Sequence, residues 1–289
     1  MVRKMETEKT EIGLKRLLEN TPEAYYWAGF LMADGNFDTH GYANRLTLFL
    51  SKLDKKHVIR FSKYIDVKNL EERKAKNIIG PRGDEIHINK QFGVRKQDSF
   101  NVPIIMKKFD YKVAKSYNPP SDLEIKNNDL FTAFFIGYLD GDGTIGTNNR
   151  LQVTCHTSWE KVLNSWFLRI WNLSKCEILN NVLVLPKSKI YKNKLVIGTS
   201  NYTFLKYLLE KIKELDLPVL NRKWKRIKNK LHNHTKGYEN KIKIIELFKQ
   251  NKTTKEICKE MDFSRVYVCK AISRYKKGIT LKEAICQKN

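Results

Sequence analysis

Two aspartates, 108 residues apart, end two similar apolar segments of the chain. Asp34 follows the apolar run of YYWAGFLMADGNF (25–37), and Asp142 takes the matching position in AFFIGYLDGDGTI (133–145). Each segment has the pattern of a helix, and a carboxylate at a helix C-terminus opposes the macrodipole. Two parallel, adjacent helices would also bring the carboxylates close enough to repel each other. The pair therefore predicts a divalent cation, Mg²⁺ (or Mn²⁺), which takes carboxylates plus water and phosphate oxygens.

The helices that position these aspartates are apolar on almost all sides and must therefore be buried. Thr21-Pro22 predicts the start of the first helix, and Asn128-Asp129 predicts the start of the second. Glycine inside a helix costs about 1 kcal/mol against alanine, so close approach of the two helix backbones is expected to offset it. Whether residue 33, which precedes Asp34, also contributes a metal ligand is left open. Small residues recur four apart in both segments, at Gly29, Ala33, Gly137 and Gly141.

The sequence after each segment repeats as well. NRLTLFLSKLDKKHVIRFSKYI (44–65) parallels NRLQVTCHTSWEKVLNSWFLRI (149–170), and each predicts a strand followed by an amphipathic helix. A second β region follows in each copy, and helices around 98–109 and 200–214 close the copies. The predicted fold class is therefore α+β, with two pseudo-symmetric αββαββα repeats. We assign them to residues 1–117 and 118–230.

The two motifs resemble a known family. WAGFLMADG (27–35) and IGYLDGDG (136–143) are similar to the motif helix of the LAGLIDADG homing endonucleases, in their single-chain, two-repeat form. The element order also matches, over roughly residues 20–228. The resemblance implies a fold in which the motif helices pack at the interface between the repeats. Two four-stranded sheets would then form a saddle on double-stranded DNA.

The resemblance also implies an activity. It is metal-dependent hydrolysis of phosphodiester bonds in both strands of a specific DNA site, with Asp34 and Asp142 as the catalytic metal ligands. Met32 stands where the second copy has Asp140, so Asp140 is not expected to be a shared catalytic position. Family members often place a lysine after the last helix of each repeat. Three lysines are candidates for stabilising transition-state charge: Lys115 and Lys223, each 81 residues after its aspartate, and Lys194, a competitor in the second β region.

Strand alternation predicts the side chains that contact DNA. If Leu46, Leu48, Leu50, Leu151, Val153 and Cys155 face the helices, the opposite faces can hydrogen-bond base edges. An ordinary solvent-exposed strand face would have the same polarity. The candidate base contacts are Arg45, Thr47, Ser51, Arg150, Gln152, Thr154 and His156. The candidate phosphate contacts are Arg73, Lys74, Lys76, Lys187, Lys189 and Lys192.

Net charge agrees with a nucleic-acid partner. The 289 residues carry 55 Lys+Arg against 31 Asp+Glu, a formal net charge of +24. Residues 222–289 alone hold 20 Lys/Arg and 6 Asp/Glu. Such a density gains affinity from each phosphate that it neutralises. The stretch 222–237 has no acid and is expected to run from a helix end into a basic linker.

Other features bear on location. The chain has no apolar run near the roughly 20 residues that span a bilayer, and its N-terminus lacks the apolar core of a secretory signal. Its five cysteines are odd in number and form no CxxC pair, which is typical of reduced thiols. We expect an intracellular protein, in a cytoplasm or nucleoid or an organelle matrix, that is neither secreted nor membrane-bound.

The C-terminal segment, 231–289, predicts the basic linker and three short helices between 239 and 277. Thr253 with Glu256 forms a capping-box pattern, and Ser264 can cap the last helix. The pattern resembles a helix-turn-helix, although the turn lacks its usual glycine. A small helical bundle that binds protein is the alternative. Ile257, Met261, Val266, Val268 and Ile272 are the expected apolar face, and the expected DNA contacts are Arg265, Tyr267, Lys270 and Arg274.

Three functions remain open at this point. The first is a monomeric, site-specific double-strand DNA endonuclease with an accessory DNA-binding domain. The second is a maturase, a splicing cofactor that binds intron RNA, because members of the family hold either role. The third is a transcription regulator that kept the fold and lost cleavage. The presence of both Asp34 and Asp142 argues against the regulator.

Overall fold

The computed structural model describes residues 13–39, 44–79, 85–146, 150–174, 189–191 and 193–276. They belong to two compact units, Met1–Ile227 and Lys228–Asn289. The first unit holds the first predicted repeat and all but the last three residues of the second. None of the described helices is long and apolar enough to cross a bilayer.

The first repeat follows the predicted order, with one additional hairpin. Its strands form an antiparallel sheet in the order β1-β2-β6-β3, and β4 pairs with β5 apart from that sheet. In chain order its elements are α1 (Pro22–Asp34), β1 (Gly35–Asp38), β2 (Arg45–Ser51), α2 (Lys55–Tyr64), β3 (Glu71–Arg73), β4 (Lys76–Ile79), β5 (Glu85–Ile88), β6 (Gln91–Gln97) and α3 (Asn101–Phe109).

The second repeat has the same topology. Its antiparallel sheet has the order β7-β8-β10-β9, which matches the first sheet strand for strand. The elements are α4 (Asn128–Gly141), β7 (Gly143–Ile145), β8 (Leu151–His156), α5 (Glu160–Leu173), β9 (Lys189–Tyr191), β10 (Lys194–Thr199) and α6 (Tyr202–Glu214). The predicted α+β class with two αββαββα repeats is confirmed.

Helices α1 and α4 pack directly against each other in the core, as their small residues predicted. Nine consecutive residues of α1 and ten of α4 are buried. Thr21 caps α1 as expected, accepting a hydrogen bond from Ala24 N. The cap of α4 lies one residue earlier than predicted, at Asn127, because its side chain accepts from the backbone of both Asp129 and Leu130.

The predicted basic linker is wrong. A single 29-residue helix, α7, runs Asn221–Lys249 through the linker and through the first of the three short helices expected in the tail. The stretch 222–237 contains no proline and only one glycine, Gly237. Lysine and arginine are good helix formers, so the local sequence supports a helix there.

The second unit contains the two remaining helices, α8 (Thr254–Met261) and α9 (Arg265–Lys276). The capping box of Thr253 and Glu256 forms as predicted. Asp262 takes the left-handed backbone, φ 53°, at the turn where glycine is usual. Val266 was expected in the core but is 63% exposed. The buried core consists of Ile244, Leu247, Ile257, Val268, Ala271 and Ile272.

Candidate active site and nucleic-acid interface

The two aspartates lie at the same end of the paired helices. Asp34 is the last residue of α1, and Asp142 is the cap that follows α4. A Cβ placed on Gly141 would lie 3.3 Å from Asp34 Oδ2, so the Asp34 carboxylate lies against the residue next to Asp142. The parallel packing of the two helices thus brings the two acids close together, as predicted.

Their surroundings make both carboxylates harder to ionise than usual. Removal from bulk water raises the pKa of Asp34 to about 6, and the neighbouring charge of Asp142 adds to the rise. The Asp34 side chain nevertheless keeps one side open to solvent. Burial raises the pKa of Asp142 as well, although Lys115 and Lys223 oppose the rise. Such a pair favours binding of a cation.

Lys115 and Lys223 occupy equivalent places at the ends of the two helices. Lys115 Nζ donates to the carbonyls of Leu31, Met32 and Ala33, at 2.9, 2.7 and 2.6 Å. This ammonium, like that of Lys223 described below, satisfies carbonyls that a helix end leaves without partners and offsets the negative end of the macrodipole. Burial lowers the pKa of Lys115 to about 8 and lowers that of Lys223. Lys223 Nζ donates in the same way to the carbonyls of Leu139, Asp140, Gly141 and Gly143.

Asp140 is buried in the core and bonds other residues than the two acids do. No shared catalytic role was expected for it, because the first repeat has Met32 at the matching position. Its exposed fraction is 1%. It accepts hydrogen bonds from Tyr26 Oη at 2.7 Å, from Trp224 Nε1 at 2.7 Å and from Leu220 N at 2.9 Å. Burial raises its pKa, and the three donors stabilise its ionised form.

The residues present fit a divalent cation that is held partly by substrate. Among the described residues, no group of three or more His, Cys, Asp or Glu side chains gathers to form a metal site. The available donors are the Asp34 and Asp142 carboxylates, with room for water or phosphate oxygens on the open side. Mg²⁺ and Mn²⁺ accept such an oxygen set. The Ala33 carbonyl accepts from Lys115, and its second lone pair is the one ligand that position 33 could add.

On the first sheet, the predicted DNA contacts fall on one face but differ in exposure. Arg45 and Ser51 are half-exposed, whereas Thr47 is 8% exposed because it lies on a central strand between Asn36 and Arg95. The guanidinium of Arg73 stacks on Phe49, 3.4 Å from the ring centroid. Lys74 and Lys76 are exposed but lie outside this sheet, Lys74 after β3 and Lys76 on β4.

On the second sheet, Thr154 is exposed and Gln152 is half-buried, as the alternation predicted. His156 is half-buried and accepts a hydrogen bond from Ser158 N. Arg150 donates to the Gly198 carbonyl at 3.1 Å. Lys194 is exposed and lies directly across from His156, which places it on the sheet face that would contact DNA.

Some predicted contacts cannot be placed by their side chains. Lys187 and Lys192 lie outside the described residues. Lys189 is described only as part of β9, and Arg274 only as part of α9. In the second unit, Arg265 and Lys270 are exposed on α9. Tyr267 was expected to point outward, but it packs on Phe263 and donates to the Gly237 carbonyl at 3.3 Å.

The structure adds residues that the sequence analysis missed. Asn36, Gln91 and Arg95 share the outer face of the first sheet with Arg45 and Ser51. Period-two alternation in β6 could have identified Gln91 and Arg95. The exposed face of α9 also includes Val266, Cys269 and Ser273, which recur at helical spacing. The bidentate pair of Asp54 and Arg222, at 2.7 and 2.6 Å, joins residues 168 positions apart and has no local signal.

Comparison with known proteins gives a likeness for each unit. Residues 238–281 match a family model described as a homeodomain-like domain. No curated protein sequence matches the chain significantly. Among solved structures, the homing endonuclease I-WcaI bound to its DNA recognition sequence is 10% identical, with 75% of this chain and 91% of that chain covered and a TM-score of 0.45.

Two further solved structures are similar. The LAGLIDADG homing endonuclease I-GzeII in complex with a DNA target is 13% identical, with 86% and 99% of the two chains covered and a TM-score of 0.43. I-DmoI in complex with DNA and Ca is 13% identical, with 70% and 94% covered and a TM-score of 0.42. The chain is thus similar to single-chain LAGLIDADG homing endonucleases, and its C-terminal segment is similar to a homeodomain-like domain.

Proposed function

We propose that the protein is a site-specific, double-strand DNA endonuclease that hydrolyses phosphodiester bonds with a divalent metal. One observation carries the proposal: Asp34 and Asp142 lie together at the ends of two close-packed helices, and each end is bonded by an equivalent, half-buried lysine. A fold has no stability reason to repeat this costly arrangement. Cleavage of two strands needs equivalent groups in two copies.

The residues of the site divide the work between them. Asp34 and Asp142 would hold Mg²⁺ or Mn²⁺, which supplies activation of a water and stabilisation of the leaving oxygen in an in-line displacement. Lys115 and Lys223 neutralise the helix ends, so the carbonyls there do not repel the incoming phosphate. The same ammonium groups favour the ionised form of both aspartates.

The two sheets and the second unit would hold the DNA. The outer faces of the sheets carry Arg95, Gln91, Gln152, Thr154 and Lys194, which can donate or accept hydrogen bonds at base edges and phosphates. The second unit would add contacts through Arg265 and Lys270 on α9. Joining two binding units in one chain raises the overall affinity. We propose that residues 1–117 and 118–230 cut as a monomer and that 231–289 increases affinity.

The test is incubation of the full chain with Mg²⁺ and a library of randomised duplex DNA, followed by sequencing of the cut ends. The expected result is a single enriched site cut on both strands, with no cutting when EDTA replaces Mg²⁺. Asp34→Asn and Asp142→Asn serve as matched inactive variants. Tight binding to structured intron RNA without DNA cutting would replace the proposal with the maturase. Specific duplex binding without cutting would replace it with the regulator.

A further inference from the structure

The buried carboxylate of Asp140 is not used by the proposed chemistry. All three of its hydrogen-bond partners are neutral donors, and two of them, Leu220 N and Trp224 Nε1, lie at the start of α7. Lys223 and Arg222 attract the carboxylate electrostatically, but its oxygens bond only these neutral donors, and a buried carboxylate is costly unless such donors are well placed. The carboxylate thereby holds one particular segment of the chain, the segment that contains Leu220 and Trp224.

That segment carries Lys223. Leu220, just before α7, and Trp224, in its first turn, flank Lys223, and Arg222 beside it makes the bidentate pair with Asp54. The negative Asp140 carboxylate also lies at the N-terminus of α7, where the macrodipole favours it. The backbone of Lys223 is thus anchored on both sides, while its ammonium bonds the carbonyls at the end of α4.

The anchoring crosses from one repeat to the other. Tyr26 of the first repeat donates its only hydroxyl proton to Asp140, so it accepts from His57 Nε2, 3.0 Å away. Asp54, which binds Arg222, also belongs to the first repeat. The second repeat's lysine is therefore placed by side chains of the first repeat.

The first repeat holds Lys115 in place without a buried acid. Met32 stands in place of Asp140, and Lys115 is held by other contacts. Its carbonyl accepts from Trp159 Nε1 at 3.0 Å, and nearby Tyr111 Oη donates to the Ala28 carbonyl. The two lysines make matching contacts to their helix ends but depend on different supports.

We propose that Asp140 is a positioning residue that acts through Lys223 alone and leaves Lys115 unaffected. Its kinetic consequence rests on the proposed nuclease function, whereas its structural consequence does not. Loss of Asp140 should loosen the start of α7 and release the Lys223 ammonium from the helix end. The site built by the first repeat should keep Lys115 in place.

The structural consequence is measured by lysine acetylation in the intact chain, with acetic anhydride as the probe and mass spectrometry as the readout. In Asp140→Asn, the amide nitrogen must face one of the three donors, so the acetylation rate of Lys223 should rise about threefold or more. The acetylation rate of Lys115 in the same molecules is the matched control and should not change. Exposed Lys213 is the reference for the reactivity of a freely accessible lysine. An unchanged ratio of Lys223 to Lys115 in the folded variant would overturn the proposal.

Milder variants guard against misfolding. Trp224→Phe removes one donor from α7, and Tyr26→Phe removes the tie to the first repeat, each with little change of shape. Both should raise Lys223 acetylation in the same direction, by a smaller factor. If neither does so while circular dichroism shows the native fold, the proposal fails even where Asp140→Asn cannot be prepared.

The kinetic consequence is measured by a double-mutant cycle on the DNA site selected with the wild type. Asp140→Asn should lower the single-turnover rate constant about tenfold in the wild-type and Lys115→Met backgrounds, because small misplacements at a reacting centre cost that much or more. In the Lys223→Met background the effect should shrink to less than about twofold. Equal effects in all backgrounds would mean a general structural role and would overturn the proposal. A wild type that cuts no DNA would instead refute the proposed function, and the acetylation result would still decide the role of Asp140.

Discussion

Gly29 and Gly137 lie against each other's helix backbones in a reciprocal arrangement. A methyl group on Gly29 would overlap the Phe134 carbonyl, and one on Gly137 would overlap the Tyr26 carbonyl. The two helices approach so closely only because neither position has a side chain. This contact fixes the distance between the two helix ends, and hence between Asp34 and Asp142.

Gly29→Ala should therefore destabilise the first unit, although alanine is the better helix former. Overpacking of a rigid core typically costs 1–3 kcal/mol, and the clash here is with backbone, so we expect about 3 kcal/mol or more. Thermal unfolding followed by circular dichroism measures the effect. Gly237→Ala is the matched control, since a Cβ there meets nothing within 4 Å. It should stabilise α7 by about 0.5–1 kcal/mol, and a similar loss in both variants would contradict the close helix packing.

Asp34→Asn or Asp142→Asn should abolish cleavage and leave DNA affinity largely unchanged. Each variant keeps the size of the side chain but loses the charge that would hold the metal. We expect the single-turnover rate constant to fall by at least about 100-fold, with the mobility-shift midpoint in EDTA within about twofold. Asp216→Asn is the matched control, because Asp216 is exposed at a helix end and has a left-handed backbone that asparagine also adopts. Unchanged cleavage by either active-site variant would refute the assignment.

Mg²⁺ affinity should depend on pH through Asp34. Its pKa is raised to about 6, so protons compete with the metal below that pH. Isothermal titration should show affinity falling by up to about tenfold per pH unit below pH 6 and levelling off above about pH 7. Asp142→Asn should shift the midpoint to lower pH, because the Asp142 charge contributes to the raised pKa. Affinity that stays constant across this range would count against Asp34 as a ligand.

The same group should make the metal-free protein less stable as pH rises. The folded-state pKa of about 6 lies above the ordinary value of 3.8, so the folded state binds more protons between these values. Linkage then requires the free energy of unfolding to fall as pH rises through this window. Asp34→Asn should flatten that part of the Tm-against-pH curve. Parallel curves for the two proteins would show that the Asp34 pKa is not raised.

Arg265→Ala and Lys270→Ala should weaken DNA binding without slowing the chemical step. Both side chains are exposed on α9, and each phosphate contact that is lost should reduce the slope of log K against log salt by about 0.9. Mobility-shift titrations at several salt concentrations measure this slope. Lys213→Ala, an exposed lysine on α6, is the control with the same loss of charge.

Truncation after Lys230 tests the second unit as a whole. It removes the homeodomain-like segment and 14 Lys/Arg against 6 Asp/Glu, so the affinity should fall by more than the single-turnover rate constant does. We expect a loss of about 10- to 100-fold in affinity, as for the removal of one of two linked binding units. Equal affinity with and without residues 231–289 would remove the proposed role of this unit.

Much of the architecture could be predicted because its signals are local and are repeated. Apolar helices with small residues four apart, alternating strands and matching segments 108 residues apart all appear in the sequence, and two copies of one pattern are stronger evidence than one. Two local predictions were wrong. The linker after residue 230 proved helical, and Tyr267 and Val266 exchanged their expected sides of α9.

The sequence by itself determined most of the elements, their order in the two repeats and the two acids, because helix and strand periodicity and the ends of apolar helices depend on neighbouring residues. Only the tertiary structure decided what Lys115 and Lys223 bond, that Lys194 lies across from His156, and that Asp140 is held by Tyr26, Leu220 and Trp224. These contacts join residues that are tens to more than a hundred positions apart. Their geometry follows from the close packing of two helices and two sheets, and no window of sequence contains it.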